Sequence, residues 1–173
     1  MMMHLVDATR MAIRQGNWYA GLSLALTLPD ICGRIAYPGQ GSQKRVETFF
    51  DKYLAHHYFA GAPWMRMASM TGGDFYALRC AFLHQGEFEL QGQRARNVLA
   101  KIELSAPSQG ESHNNLCAAT TDSSGNAVDG TLQVKVDTFC ENVCEAVIAW
   151  LAEVEEDSRI QVEISSLGKI IGY

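Results

Sequence analysis

Tyr76-Ala77-Leu78-Arg79-Cys80-Ala81-Phe82-Leu83-His84-Gln85-Gly86 is apolar except for one guanidinium, one imidazole and a closing amide. Thr71-Gly72-Gly73-Asp74 ahead of it reads as a turn, with Asp74 or Thr71 as the cap of a following helix. Gly86 is a natural residue for leaving a helix, so the spacing predicts a helix over roughly Phe75 to Gln85. Leu78, Ala81, Phe82 and Gln85 supply its packing side. A charged group in so apolar a helix is costly unless it is paired or faces a wet cleft. Arg79 and His84 are five residues apart, a net rotation of roughly 140° at 3.6 residues per turn, and so do not share a face of one straight helix. They meet only if the chain turns back at Gly86, or if two copies of the helix line one cleft in a symmetric dimer.

Three helical segments precede this stretch. Asp7 to Gln15 forms the first, ended by Gly16, and Asn17 caps the next. Trp18 to Leu28 is nearly all apolar, as expected of a core helix. Pro29 either kinks it or starts a new turn through Ile35. Tyr37 to Gly41 is a loop. Gly39-Gln40-Gly41-Ser42-Gln43-Lys44 within and after it lacks the full phosphate-loop pattern. Ser42 is the expected N-cap of a helix to about Tyr58, with Val46, Phe49, Phe50, Tyr53 and Leu54 as its apolar stripe. Gly61-Ala62-Pro63 breaks it.

Beyond Arg94 and Arg96 the period changes. Val98, Ala100, Ile102 and Leu104 alternate with Leu99, Lys101 and Glu103, as in a strand. Ala106 to Asn114 is polar loop, Leu116 to Thr121 a second strand, Asp122 to Asn126 a turn and Thr131 to Val136 a third strand. Thr138-Phe139-Cys140-Glu141 has the form of a capping box. The helix it opens carries Cys140, Val143, Cys144, Val147, Leu151 and Val154 on one stripe. Gln161 to Ile164 reads as a short strand followed by a tail. The expected fold is α+β: a helical up-and-down bundle over residues 1–95, with a small antiparallel sheet and a C-terminal helix from 96–173 packed against it in one domain.

Composition excludes several classes. Of the 173 residues 47% are hydrophobic and 19% charged, which suits a globular core rather than a disordered chain. No apolar run reaches the ~20 residues of a membrane helix. The start Met1-Met2-Met3-His4-Leu5 has no basic leader, so a soluble, cytoplasmic protein is expected. The net charge is −5, split as +4 over residues 1–101 and −9 over 102–173. Any nucleic-acid contact is therefore expected on the N-terminal part. The odd count of five cysteines argues against a disulfide framework. Cys140 and Cys144 share a helix face but lack two further ligands for zinc, and adjacent His56 and His57 do not supply them, so no metal or other cofactor is expected. Trp18, Trp64 and Trp150 read as core or interface anchors.

The Arg79-Cys80-Ala81-Phe82-Leu83-His84 segment, at the end of an apolar helix that follows three others, resembles the Arg-x4–6-His motif of the HEPN family. The resemblance covers about residues 4–90. Cys80 stands where the family usually has a polar residue. Many HEPN proteins are metal-independent ribonucleases of toxin–antitoxin or antiviral systems. The resemblance thus implies RNA as a partner, a homodimer, and products ending in 2′,3′-cyclic phosphate. It implies His84 as general acid or base and Arg79 as the group holding the phosphate, with Cys80 beside them. Asp30 would position Arg79, and Arg94 and Arg96 would grip the RNA backbone or simply sit in a solvated turn. Other readings of the same residues stay open. In one, Arg79 pairs structurally with Asp30, His84 caps the last helical carbonyls, and the protein is a non-catalytic dimeric module with a protein partner or antitoxin.

Overall fold

The computed structural model describes residues 1–60, 67–107, 113–124 and 127–168. The expected break at Gly61-Ala62-Pro63, Trp64, part of the loop after Ala106, Gly125 and Asn126 of the turn, and the tail beyond residue 168 lie outside them.

The apolar segments fold as helices, several longer than periodicity suggested. α1 spans Met2–Arg14 and buries Met2, Val6 and Thr9. α2 spans Trp18–Ala36, with the Asn17 side chain accepting the Ala20 N–H as its cap. It neither stops nor restarts at Pro29, which lies buried inside one continuous helix. The proline withholds one N–H, a loss outweighed by burial of the apolar residues on both sides of it. α3 spans Ser42–Tyr53, shorter than expected, and a 3-10 turn follows at Ala55–His57. A two-residue antiparallel pair, β1 (Phe59–Ala60) and β2 (Met67–Ala68), leads to α4, Gly72–Gln85.

The second half is a mixed sheet feeding a helix. β3 (Leu99–Ser105) is followed by β4 (Asn115–Cys117), β5 (Thr120–Thr121), β6 (Ala127–Val128) and β7 (Gly130–Lys135). The three-stranded sheet has the order β3-β7-β4, and β5 pairs with β6. β4 runs antiparallel to β7, but β3 and β7 are parallel, so the expectation of a purely antiparallel sheet is corrected. The chain between β3 and β7 is long enough to carry it back to the same end of the sheet, as parallel pairing requires.

β7 passes directly into α5, Val136–Glu153. The expected capping box at Thr138 does not form: the helix begins two residues earlier, and Glu141 is paired with Arg10 of α1. α6 spans Ser158–Ser166, where a strand and tail were expected. Asp157 caps it by accepting the Ile160 N–H, and Ile160, Ile164 and Leu167 recur at helical steps against the core.

α2 is the central element, packed against α1, α3 and α5 and touching α4 and α6. α5 is thus a member of the bundle rather than a layer attached to the sheet. Phe75 meets Phe50 in a tilted pair at 5.6 Å and stacks on Phe139 at 5.8 Å, tying α3, α4 and α5 together. Such ring pairs add about 0.5–1.5 kcal/mol each beyond burial. Ile102, Leu132 and Val134 bring the sheet into the same core. No described helix is long and apolar enough to cross a membrane.

Candidate functional site

Both ends of α4 are set by local chemistry. At its start the Thr71 hydroxyl accepts the Asp74 N–H while the Asp74 carboxylate accepts the Thr71 N–H at 2.9 Å, a closed capping box. Asp74 is fully buried, and its oxygens also take the backbone N–H groups of Asn97, Val98 and Leu99. One carboxylate thereby ties the start of α4 to the loop ahead of β3. At the other end Gly86 adopts φ 73°, and the Gly86 and Glu87 N–H groups satisfy the Phe82 and Ala81 carbonyls. The backbone closes this helix end by itself, so His84 has no capping duty. It is exposed and hydrogen-bonds to none of the described residues.

Arg79 points the other way, toward α2. Its Nη2 lies 2.9 Å from Asp30 Oδ2, the pairing its apolar surroundings call for. Asp30 also accepts the Arg45 Nε–H at 2.6 Å and the Ser42 hydroxyl at 3.1 Å, both on Oδ1. The side chains of Asp30, Arg79 and Arg45 are 15%, 17% and 21% exposed. Two guanidiniums therefore share one carboxylate where α2, α3 and α4 meet. Gly33 makes the approach possible: a Cβ there would fall 2.9 Å from the Arg45 carbonyl oxygen.

Tyr76, about one helical turn before Arg79 on α4, has its phenol pushed up, first by burial and next by the Cys80 thiol, with Ser42 and Arg79 acting in the opposite sense. Cys80 is half-buried beside it. The Arg79 guanidinium lies 6.0 Å from the Tyr76 ring.

Arg94 and Arg96 stand apart from Asp30 and Arg79 in the loop that runs back along α4. They line an open depression of about 540 Å³ with Gln91, Gln93, Asn97 and Asp129. Arg94 is exposed, whereas Arg96 is bound to Asp129 at 2.6 Å. The Gln93 amide donates to Gln85 at 3.1 Å, which anchors this loop beside the turn that carries His84.

The chain thus brings Arg79 to Asp30, sets Cys80 against Tyr76, and leaves His84 on another face of α4. Arg45 and Ser42 were missed by sequence reasoning. A signal existed, because Arg45 precedes Phe49 by one helical turn and so interrupts the apolar stripe of α3, as Arg79 interrupts α4. Ser42 was expected as a cap, but Gly41 is the N-cap and the Ser42 hydroxyl is spent on Asp30.

All five cysteines are free, and burial pushes Cys140 and Cys144 up to about 12, so both are neutral thiols packed in the core. No group of three or more metal-ligating side chains occurs among the described residues.

No protein-family model matches this chain. Neither a curated protein nor a solved structure matches it.

Proposed function

We propose that this protein is a HEPN-like, metal-independent endoribonuclease whose site is completed by a second copy of the chain. The observation that carries this reading is the half-buried face of α4 beside the Asp30 junction. Tyr76, Arg79, Cys80 and Leu83 recur at the i, i+3, i+4, i+7 spacing of a helix-pairing stripe, and all four are half-buried in the single chain. The opposite face is already used by Phe75, Ala77, Leu78 and Ala81 in the core. Tyr76 and Leu83 pack only in part against the chain's own core, which leaves surface on the stripe for a second copy. Arg79 borders the stripe on one side and His84 on the other, by the rotation of roughly 100° per residue. A two-fold pairing through the stripe then lines the seam with two guanidiniums and two imidazoles.

In that seam the RNA 2′-hydroxyl attacks the neighbouring phosphorus. One His84 takes the 2′-proton, and the other protonates the departing 5′-oxygen. The products are a 2′,3′-cyclic phosphate and a 5′-hydroxyl end. Arg79, held by Asp30, offsets the charge that builds on the phosphoryl oxygens. The Arg94 depression next to the His84 turn would receive flanking backbone.

A second reading, a dimeric binding module without nuclease activity, is favoured by one fact: the charge of Arg79 already has its partner in the single chain. End-labelled RNA incubated with purified protein in EDTA separates the two. Cleavage to cyclic-phosphate ends, reduced about 10²–10⁴-fold in His84→Ala, is the expected result. Since His84 is exposed, that variant keeps its fold. Intact RNA with and without divalent metal, or wild-type cleavage by His84→Ala, leaves only the binding module.

A further inference from the structure

We propose that Arg45 completes an anion site with Arg79, in which Asp30, seated by the Ser42 hydroxyl, is the fixed mount for both guanidiniums and the ligand is an RNA phosphodiester. The choice of RNA rests on the reading above; the anion site rests on three observations of its own.

The first is charge. One carboxylate stands against two guanidiniums, so the cluster carries a surplus positive charge among side chains that are 15–21% exposed. Surplus charge held partly out of water favours a counter-ion. The second is direction. Both Asp30 oxygens are engaged, Oδ1 by Arg45 Nε and Ser42, Oδ2 by Arg79 Nη2. The Arg45 Nη groups hydrogen-bond to none of the described residues, whereas the Arg79 Nε, also unpartnered, is closed off from solvent, so the free fork belongs to Arg45. A guanidinium fixed along one edge presents its remaining N–H groups as a planar fork, which suits the paired non-bridging oxygens of a phosphodiester. The third is rigidity. The Arg45 backbone lies close against Gly33, and its guanidinium is held on Asp30 at 2.6 Å. Arg45 therefore acts as a second phosphate-holding group, one helix away from the motif that contains Arg79.

The test uses the full chain and a fluorescent 2′-O-methyl RNA 12-mer, which has no free 2′-hydroxyl and is not cleaved. Anisotropy titrations are run across a salt series, with melting curves in inorganic phosphate as a separate arm. Arg45→Gln is expected to weaken RNA binding roughly tenfold regardless of sequence, and to flatten the slope of log K against log salt by about 0.7. Arg45→Lys should keep the slope while losing part of the affinity, and Ser42→Ala should weaken binding severalfold. If Arg45→Gln unfolds, Arg45→Lys and Ser42→Ala carry the comparison. Wild-type affinity and slope in the folded variants overturn the anion site, whereas RNA cleavage by the unchanged chain would still uphold the nuclease. Conversely, if the chain binds no RNA but is stabilised by phosphate through Arg45, the anion site stands and the RNA reading falls. Loss of both responses ends both.

Discussion

Replacing Asp30 by Asn removes the charge on which the junction of α2, α3 and α4 depends, with almost no change in shape. Two contacts are affected at once, Arg45 at 2.6 Å and Arg79 at 2.9 Å. At an effective dielectric near 20, each attraction is worth about 4 kcal/mol at roughly 4 Å between charge centres. Most of this is returned, because a carboxylate 15% exposed no longer has to be stripped of water. What remains is the cost of two neighbouring guanidiniums with no counter-charge. Removing one member of a buried pair costs about 3–5 kcal/mol, and residual exposure places this junction at about 3. For a chain of this length 1 kcal/mol moves Tm by about 2–4 °C, so Asp30→Asn should melt about 6–12 °C lower. Calorimetry in low salt and at about 1 M salt checks this, since a partly buried pair is screened only weakly and the loss should persist in both. A double-mutant cycle with Arg79→Gln should show coupling above about 1 kcal/mol. A drop of less than about 2 °C with no coupling would refute the claim that the triad holds these helices together.

Asp74→Asn should be at least as damaging. It places an amide that also donates among the N–H groups of Thr71, Asn97, Val98 and Leu99, and a loss of about 3–5 kcal/mol in urea unfolding is expected, with earlier proteolysis of the 91–97 loop. His113 links pH to stability. Burial chiefly holds it below its usual range, helped by His57 and Lys135 and opposed by Asp137, and its Nδ1 accepts the Lys135 N–H at 3.2 Å. A histidine with a depressed folded pKa is fully stabilising above its unfolded value near 6.5 and loses that contribution as pH falls below it. Tm should therefore fall between about pH 7.5 and 5.5, less steeply in His113→Asn, and an identical slope would remove His113 as the cause.

The helices were legible where an apolar stripe ran long enough to fix its period, as in α3 and α5. α6 was misread because Ile160, Val162 and Ile164 alternate as a strand would, and nine residues satisfy both periods at once. Only the Asp157 cap separates them. The parallel register of β3 and β7 leaves no local trace, since it is decided by how the intervening chain returns. Asp30 was readable as the partner of Arg79 because a buried guanidinium demands an acid and this one follows an apolar helix. Arg45 was hidden by the assumption that Ser42 begins the helix by capping it, which drew attention from the charge three residues on.

The central place of α2 has a consequence for biosynthesis. Its inner face is closed by α5, whose first residue is Val136, while α2 itself ends at Ala36. At translation rates of about 5–20 residues per second, some 5–20 seconds pass between the emergence of the two partners. For that interval the most apolar helix of the chain has α1 and α3 against it but lacks α5. One side of α2 therefore stays open to water until the C-terminal part has been made.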